Sequence, residues 1–568
     1  MILQKLIEFQ SQMQTAHAIT PKMYQETPIH WIIDLDDSGI FLNIISTSQQ
    51  DEKGRQRPRR FVAPTVMKSV NVKPNLLLGN GEYVFGIPRE KSKPERVKKC
   101  HQSFTDLLDE CFSQTKEPGI YSVICFLNSS PKEWMKFDPD LDPNQNITFR
   151  VNGEILFDLP SVRKFWADHT TVSGKTAQCL LCGEHKPPLK RLQIKIKNIP
   201  GGQPSGMAVI SANSPAFESY GLEASLIAPT CEDCSESFSK GLNYLLNNGK
   251  HNLTIGPLKY IFWTKKESDF NVHNFLDDPD PAEVRKLIES VFSESKGALM
   301  LDIIPFYGAA VTASGGRVVF RDWIDTTVGH VKENLAGFFH LSNIIDPGND
   351  SPRPLGIYRL CAAAVFDVRQ NLPAHIPKSL ITFALKGGSL PYWLLSLALE
   401  RNKAENKVSR NRAALIKLVY LVNQNNKKKE DYMVSLELEN REPAYLCGRL
   451  LAMLESIQFH ALGKVGSTIV DRFYGTASSA PASVFGNLLK GAQAHLSKLR
   501  KEKPGLQHNL QMELQSVLQN LTSFPKTLGM QGQALFALGY YHQRAAHFAH
   551  KKEDAKETVN HNQSPINQ

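Results

Sequence analysis

Residues 29–45, IHWIIDLDDSGIFLNII, decide the fold class of the first part of this chain. Apolar and polar residues alternate on both sides of the central Asp36-Asp37-Ser38-Gly39. Alternation with a period of two is typical of a half-buried β-strand, and a short Asp- and Gly-containing segment between two such runs is typical of a tight turn. The sequence therefore predicts a β-hairpin at this place.

Helical and strand patterns alternate on either side of this hairpin, which predicts a mixed α/β architecture for the first two-thirds of the chain. The predicted helices are residues 1–18, 101–115, 160–168, 236–248 and 281–294. The predicted strands are residues 147–157 and 191–197, and a second hairpin of 298–305 and 317–323 joined through Ser314-Gly315-Gly316.

From about residue 355 the strand patterns disappear and apolar residues recur at helical spacing. Amphipathic helices are predicted at residues 443–460, 482–502, 508–521 and 530–549. The predicted fold class is therefore α+β, with a mixed α/β N-terminal two-thirds followed by an all-α C-terminal helical bundle.

A chain of 568 residues is too long for a single hydrophobic core and should divide into several domains. The predicted divisions are an N-terminal α/β domain at 1–158, an α/β middle region at 159–355, a helical connector at 356–432, a C-terminal bundle at 433–550 and a disordered polar tail at 551–568.

Composition points to a soluble intracellular protein. The chain is 41% hydrophobic, as expected of globular domains, and it lacks the long apolar run of a secretory signal or a membrane span. Its nine cysteines, an odd number spread through a large chain, argue against a disulfide framework.

The net charge is concentrated in residues 53–99. This segment holds 13 Lys and Arg against 3 Glu, an excess equal to the +10 charge of the whole chain. Cations that gather in one place are typical of a contact with a polyanion, so the segment is interpreted as a nucleic-acid contact. Its prolines exclude one long helix and favour basic loops around short strands.

The alternative interpretation is a solvated linker whose charge serves solubility. The segment also contains Phe61, Val62, Tyr83, Val84 and Phe85, which make it too apolar for a disordered tether.

Two C-x-x-C pairs, Cys179/Cys182 and Cys231/Cys234, could together hold one structural Zn²⁺ ion. The spacer of 48 residues exceeds the usual length in a zinc ribbon, so a domain must fold between the pairs. The alternative is four plain reduced cysteines. Four thiolates leave no open coordination position, so catalysis is not expected there.

No catalytic motif stands out in the rest of the chain. Ser173-Gly174-Lys175-Thr176 has the end of a phosphate-binding loop, but His169 occupies the place of its first glycine and no buried strand precedes it. The histidines form no recognised catalytic pattern. The sequence therefore predicts a protein that is not an enzyme.

Residues 73–86, KPNLLLGNGEYVFG, place amide side chains and an aromatic residue inside the basic segment. Lysine can donate to phosphates or groove acceptors, and asparagine can read a base edge. The alternative is that Asn75 and Asn80 only close turns, since Asn80-Gly81 is a strong hairpin signal.

Read with its flanks, this stretch resembles the large subunit of the type I-C CRISPR interference complex (Cascade), the Csd1/Cas8c family. The resemblance extends along the chain in ordered blocks. These are the opening MILQ, the KPN block with its following Asn80 and Tyr83-Val84, CLLCG at 179–183, AFESYG at 216–221, RVVFRDWI at 317–324, RAALIK at 412–417, ASSAPASVF at 477–485 and FALGYYHQR at 536–544.

The resemblance implies a role in antiviral defence in the prokaryotic cytoplasm. Such a subunit recognises the protospacer-adjacent motif in duplex DNA, helps to open the duplex, holds the displaced strand and recruits a helicase-nuclease. Its partners would be the backbone, guide-end-binding and small subunits that carry the guide RNA. Guide pairing supplies most of the sequence specificity.

Within this interpretation, candidates for contacts near the motif are Lys73, Asn75 and Asn80. Candidates for backbone contacts are Arg55, Arg57, Arg59 and Arg60. The predicted DNA-binding residues also include Lys53, Lys68, Lys91 and Lys93. The second cysteine pair departs from the family's pattern, so zinc is an expectation for this chain and not for the family.

The family resemblance also implies that a small subunit can be translated from an internal start. Met433 is well placed, because Lys429-Glu430 can be encoded by a ribosome-binding-like sequence shortly upstream. The predicted second product has about 136 residues. The alternative is that Met433 is an ordinary methionine.

Two competing function classes remain open. One is a free-standing nucleic-acid-binding protein, which would show steep salt dependence but little motif preference. The other is a guide-RNA-processing component, which would need a general base near the scissile phosphate. The basic segment contains no histidine, and His101 lies just beyond it.

Overall fold

The structure is a computed structural model of the chain. It describes residues 2–15, 21–50, 54–66, 72–89, 92–129, 142–171, 174–212, 214–292, 303–347, 352–370, 372–424 and 433–561. In these residues no helix is both long enough and apolar enough to cross a membrane.

The helices and strands alternate through the first part of the chain and are followed by helices alone. The strands are β1 (Tyr24–Pro28), β2 (Trp31–Leu35), β3 (Phe41–Ser46), β4 (Ser48–Gln50), β5 (Gln56–Pro58), β6 (Arg60–Pro64), β7 (Leu78–Gly79), β8 (Ile147–Val151), β9 (Glu154–Ile155), β10 (Ala177–Gln178), β11 (His185–Lys186), β12 (Asn252–Ile255), β13 (Leu258–Thr264), β14 (Pro305–Ser314) and β15 (Arg317–Thr327). The helices up to the end of the last strand are α1 (Ile2–Thr15), α2 (Gly81–Val84), α3 (Pro94–Thr115), α4 (Pro118–Asn128), α5 (Pro160–His169), α6 (Glu232–Asn247), α7 (Val272–Leu276) and α8 (Pro281–Phe292). The later helices are α9 (Val328–Ser342), α10 (Ile357–Ala364), α11 (His375–Lys386), α12 (Tyr392–Glu405), α13 (Arg410–Val422), α14 (Pro443–Leu462), α15 (Ile469–Ala477), α16 (Phe485–Glu502), α17 (Pro504–Leu518) and α18 (Met530–His561).

This arrangement confirms the predicted fold class, with sheets in the N-terminal part and helices in the C-terminal part. The chain groups into two compact units. The first comprises Met1–Asn198, Gly202–Tyr244 and Ser314–Val318, and the second comprises Ile199–Gly201, Leu245–Ala313 and Val319–Gln568. The sequence analysis divides the chain at 158, 355 and 432 instead, and that finer division stays a prediction.

The first unit is built on a sheet with the strand order β3, β2, β8, β7, and β9 also pairs with β8. The predicted hairpin at Asp36-Asp37-Ser38-Gly39 is confirmed, because β2 and β3 pair antiparallel across it. The Asp36 carboxylate accepts hydrogen bonds from the amides of Ser38 and Ile40. Gly39 has φ +81°, and a Cβ there would lie 2.4 Å from the Ser122 carbonyl oxygen, so this turn requires glycine.

The core of the first unit lies where the central strands meet the following helices. Trp31, Ile33 and Phe149 are buried in one apolar cluster with residues of α3, α4 and α5. Two buried polar groups of this core are satisfied by backbone carbonyls. The Tyr24 hydroxyl donates to Phe157 O at 2.7 Å, and the Trp166 indole donates to Met23 O at 3.0 Å.

The second unit contains a four-stranded sheet in the order β12, β13, β14, β15, with helices that continue to the end of the described chain. The turn and the second strand of the second predicted hairpin are confirmed, since β14 and β15 are neighbours joined through Gly315, which has φ +57°. The position of the first strand is wrong, because it spans Pro305–Ser314 and overlaps the predicted 298–305 only at Pro305. Of the predicted strand 298–305, residues 298–302 lie outside the described residues.

The helical part of the second unit contains one unusually close helix pair, α14 and α18. A Cβ on Gly448 would lie 2.0 Å from Phe536 O, and a Cβ on Gly539 would lie 2.1 Å from Tyr445 O. No real side chain tolerates such distances, so these glycines let the two backbones touch. The surrounding cluster is apolar and includes the buried residues Leu450 and Leu451.

Two segments differ from the predictions made from sequence. Residues 191–197 do not form a regular strand, because only Ile196 pairs, through a single bridge with Met207. The alternation is nevertheless real, since Leu192, Ile194 and Ile196 are buried while Arg191, Lys195 and Lys197 are exposed. At the other end, α18 continues through His561, past residue 550, where a disordered tail is predicted to follow.

Candidate nucleic-acid interface

The arginines of the basic segment lie on and beside short strands of the first unit. β4 and β5 form a small antiparallel hairpin in which Gln49 pairs with Arg57, and β6 pairs antiparallel with β1, opposing Arg60 to Pro28. The four side chains Arg55, Arg57, Arg59 and Arg60 are all exposed. Short strands therefore present several guanidinium groups on the surface, as the spacing of prolines predicts.

The internal contacts of two of these arginines are weak. Arg60 Nε lies 3.4 Å from Glu26 Oε2, and both side chains are more than half exposed. Exposed pairs of this kind contribute little stability, so a phosphate can compete for the guanidinium. The Arg59 guanidinium lies over the Phe61 ring at 5.1 Å, which orients the charge without neutralising it.

Asn75 and Asn80 both use their amide oxygens to hold backbone. Asn75 Oδ1 accepts a hydrogen bond from Val66 N at 2.9 Å. Asn80 Oδ1 accepts one from Glu82 N at 3.2 Å and is the N-cap of α2. Asn80-Gly81 does not form the hairpin turn that this dipeptide indicates, because residues 81–84 form the short helix α2. Tyr83 and Val84 of this helix are buried in the core. Reading adenine with both amide atoms would compete with these caps.

The other predicted contact residues divide by position. Lys73 is exposed beside the Asn75 turn, and Lys93 is exposed immediately before α3. Lys53, Lys68 and Lys91 lie outside the described residues. The segment does not end in loops alone, because its last cations, Arg96, Lys98 and Lys99, are exposed on the first turns of α3.

One cation of the basic segment neutralises a buried acid. The Glu82 side chain is 1% exposed, and Arg89 Nη2 lies 2.6 Å from its Oε2. Burial raises the pKa of Glu82, but hydrogen bonds from Arg89 and Ser92 outweigh this effect and hold the pKa below its usual range. Sequence reasoning missed this pair, since one acid seven residues before one arginine is too common a pattern to indicate burial.

The four cysteines of the two C-x-x-C pairs come together in the first unit. The Sγ atoms of Cys179, Cys182, Cys231 and Cys234 all lie within 4.8 Å of one another, and Cys182 Sγ is 3.9 Å from Cys231 Sγ. Four thiolates at about 2.3 Å from a tetrahedral Zn²⁺ would be about 3.8 Å apart. The cluster can therefore hold a metal ion with little adjustment.

Different local structures supply the two pairs. The first pair lies in the turn between β10 and β11, where Gly183 has φ +79° and its amide donates to Cys179 O at 2.9 Å. Cys231 immediately precedes α6, and Cys234 lies in its first turn. A helix N-terminus favours negative charge, so it suits thiolates.

The amides around Cys179 favour its ionised form. Burial raises the pKa of the Cys179 thiol, but backbone amides of Cys231, Cys182 and Leu181 donate to the sulfur and lower the pKa to about 6. Burial raises the pKa of Cys231 to about 11 and raises that of Cys234 as well. A cation bound at this cluster would displace the protons that the thiols carry.

These features define the class of the protein, a large α+β chain with a surface charge suited to a polyanion and a four-thiol cluster able to hold a metal ion. A family model described as CRISPR-associated protein (Cas_Csd1) matches residues 6–548. Because this match covers nearly the whole chain, the protein belongs to the CRISPR-associated Csd1 family. This confirms the family resemblance of the sequence blocks. No curated protein matches the chain.

Proposed function

We propose that this protein is the large subunit of a type I-C RNA-guided surveillance complex in the prokaryotic cytoplasm. It recognises the protospacer-adjacent motif in duplex DNA, supports R-loop formation, binds the displaced strand and recruits the helicase-nuclease, and it carries no catalytic site of its own. Its partners are the backbone, guide-end-binding and small subunits with their guide RNA. Family membership together with the exposed arginines of β5 and β6 carries this proposal.

The backbone contacts in this proposal come from Arg55, Arg57, Arg59 and Arg60. The strands that carry or flank these arginines are fixed by backbone pairing, β5 with β4 and β6 with β1. Each phosphate neutralised releases counterions, and the logarithm of the binding constant then falls with the logarithm of salt concentration by about 0.9 per contact.

The motif-proximal contacts come from Lys73, Asn75 and Asn80. Lys73 is the strongest of the three candidates, because it is exposed and lysine can donate to both phosphates and groove acceptors. The two asparagines have structural tasks, so a base contact would use the amide nitrogen or would displace a cap.

The C-terminal residues from 433 onward are proposed to resemble the small subunit of the complex. Their helices α14 to α18 pack into one apolar cluster, which also includes residues of the sheet β12–β15 and of the preceding helices of the second unit. The four-cysteine cluster is proposed to hold one Zn²⁺ ion that ties the β10–β11 turn to the start of α6.

The test is to co-express the chain with type I-C partners and a guide RNA and to measure affinity for target duplexes with all flanking trinucleotides. We expect a strong preference that fades when Lys73 is changed to alanine. A flat profile would move motif recognition to another subunit. Tight binding of duplex without partners or guide would favour the free-standing nucleic-acid-binding protein.

A further inference from the structure

Tyr220 occupies a position at which tyrosine is unexpected. Ser219 and Leu222 pair across a two-residue turn, and the Leu222 amide donates to Ser219 O at 2.9 Å. The two turn residues, Tyr220 and Gly221, have φ +53° and +70°. Turns of this left-handed kind favour asparagine or glycine at the first position, because a larger side chain is strained there.

Packing of the Tyr220 side chain does not offset this strain, since the side chain is 98% exposed. Ala224, four residues later, also has a positive φ of +52°. Backbone strain that packing does not offset clusters at functional sites, so this loop is a candidate binding site.

The loop is firmly attached to its surroundings in the first unit. The Ser225 amide donates to Lys190 O at 3.0 Å, and the Ala212 amide donates to Ala224 O at 3.0 Å. A second exposed aromatic residue, Phe217, lies in the same loop, with the Arg317 guanidinium 4.1 Å from its ring centroid. The backbone of the loop is therefore anchored to the fold, and the Phe217 ring lies against Arg317.

The surface next to this loop is cationic. Residues 185–198 contain five Lys and Arg and no Asp or Glu. Arg191, Lys195 and Lys197 are exposed there, whereas Lys190 forms an ion pair with Glu223 at 2.6 Å. The loop itself adds the exposed Glu218, so the cations of 190–197 and Arg317 still exceed the acids of the loop by five to two.

We propose that Tyr220 stacks on an unpaired base of single-stranded DNA, whose phosphates lie along Arg191, Lys195 and Lys197. Aromatic rings beside a basic track are the general means of binding single strands without reading sequence. Two further apolar side chains of the loop, Phe217 and Leu222, are also exposed, but the adjoining residues 190–197 are cationic, which favours a polyanion over an apolar partner. This inference rests on the proposed function and assigns a site to the displaced strand.

The test uses the full-length chain and a single-stranded oligonucleotide that contains 2-aminopurine, whose fluorescence is quenched by stacking. Tyr220→Asn and Tyr220→Gly both suit the left-handed turn, so the fold is expected to persist in each, with an unchanged melting temperature. We expect each variant to bind roughly 5- to 150-fold more weakly and to lose quenching. Tyr220→Phe keeps the ring and should bind as the parent does.

Equal affinity and quenching in all variants would overturn the proposal. Unchanged single-strand binding with impaired assembly of the complex would also overturn it, by identifying a protein interface. Motif preference on duplex targets is measured in parallel with the same variants. If that preference persists while Tyr220 proves irrelevant, the proposed function stands and only this site is lost.

Discussion

Asn80 caps α2, and this role can be tested separately from any contact of Asn80 with DNA. Asn80→Ala removes the acceptor for the Glu82 amide and should lower the free energy of unfolding by about 1 kcal/mol. Asn80→Ser keeps a good N-cap, and we expect its stability to lie within a few tenths of a kcal/mol of the parent value. Denaturant unfolding of the two variants measures this difference.

DNA-binding measurements on the same two variants then distinguish helix capping from base recognition by Asn80. If Asn80→Ser binds target duplexes with unchanged motif preference, Asn80 acts as a cap and the base contact must be assigned elsewhere. A loss of motif preference in this stable variant would support base recognition by the amide.

Glu82 should make stability depend on pH. Its pKa in the folded protein lies below that in the unfolded chain, because hydrogen bonds from Arg89 and Ser92 outweigh burial. The carboxylate therefore stabilises the fold above its unfolded pKa of about 4.3, and this contribution is lost as the pH falls through the folded pKa. Glu82→Gln should cost about 1 to 3 kcal/mol at neutral pH and progressively less in acid.

Denaturant titrations at several pH values compare this variant with Glu26→Gln. Glu26 also pairs with an arginine, Arg60, but both side chains are mostly exposed, so little change is expected. A Glu82→Gln curve parallel to that of the parent at all pH values would contradict the assignment.

At the scale of elements, the contact between α14 and α18 depends on glycine. Gly448→Ala would bring a methyl group to 2.0 Å from Phe536 O, so the helices must separate. We expect the largest destabilisation here, on the order of 3 kcal/mol or more. Gly491→Ala on α16 is the control, because nothing lies within 4 Å of its Cβ position and alanine favours helix.

Thermal unfolding of the two variants measures the contrast. We expect a lower melting temperature for Gly448→Ala and an equal or higher one for Gly491→Ala. Equal melting temperatures would mean that the two helices do not touch as described.

The four-cysteine cluster brings the β10–β11 turn against the start of α6, so metal should matter for both. Elemental analysis of the purified protein should find about one zinc per chain. Cys182→Ser should lose the metal and lower the melting temperature, whereas Cys125→Ser, outside the cluster, should retain it. Less than about half an equivalent in the parent protein would leave four reduced cysteines as the interpretation.

At the scale of the whole molecule, Met433 is the predicted start of a second product. It is 4% exposed, and its amide donates to Glu437 Oε1 at 2.6 Å. In a chain that began here, an α-ammonium group would face the same carboxylate. We expect a second product of about 136 residues, detected by an antibody or a C-terminal tag.

Synonymous recoding of the Lys429-Glu430 codons together with Met433→Leu should abolish that product. Leucine preserves the buried apolar side chain, so the full-length chain should accumulate normally. Persistence of the short product would refute this start and leave Met433 as an ordinary methionine.

The predictions from sequence succeeded where neighbours along the chain decide the outcome. Both hairpins depend on alternation around a glycine turn, and the C-terminal helices depend on local apolar spacing. At residues 191–197 the alternation correctly gave the buried side but could not provide a pairing partner, so no regular strand formed. The hairpin at Asn80-Gly81 was wrong for the same reason.

By itself, the sequence determined the fold class, the concentration of charge in residues 53–99 and the two cysteine pairs, because composition and short-range pattern are properties of each segment alone. Only the tertiary structure decided that the two pairs meet, that Arg89 neutralises the buried Glu82, and that Tyr220 stands almost fully exposed on a strained turn. These relations depend on burial and on distances between segments, which packing of the folded chain establishes and no single segment encodes.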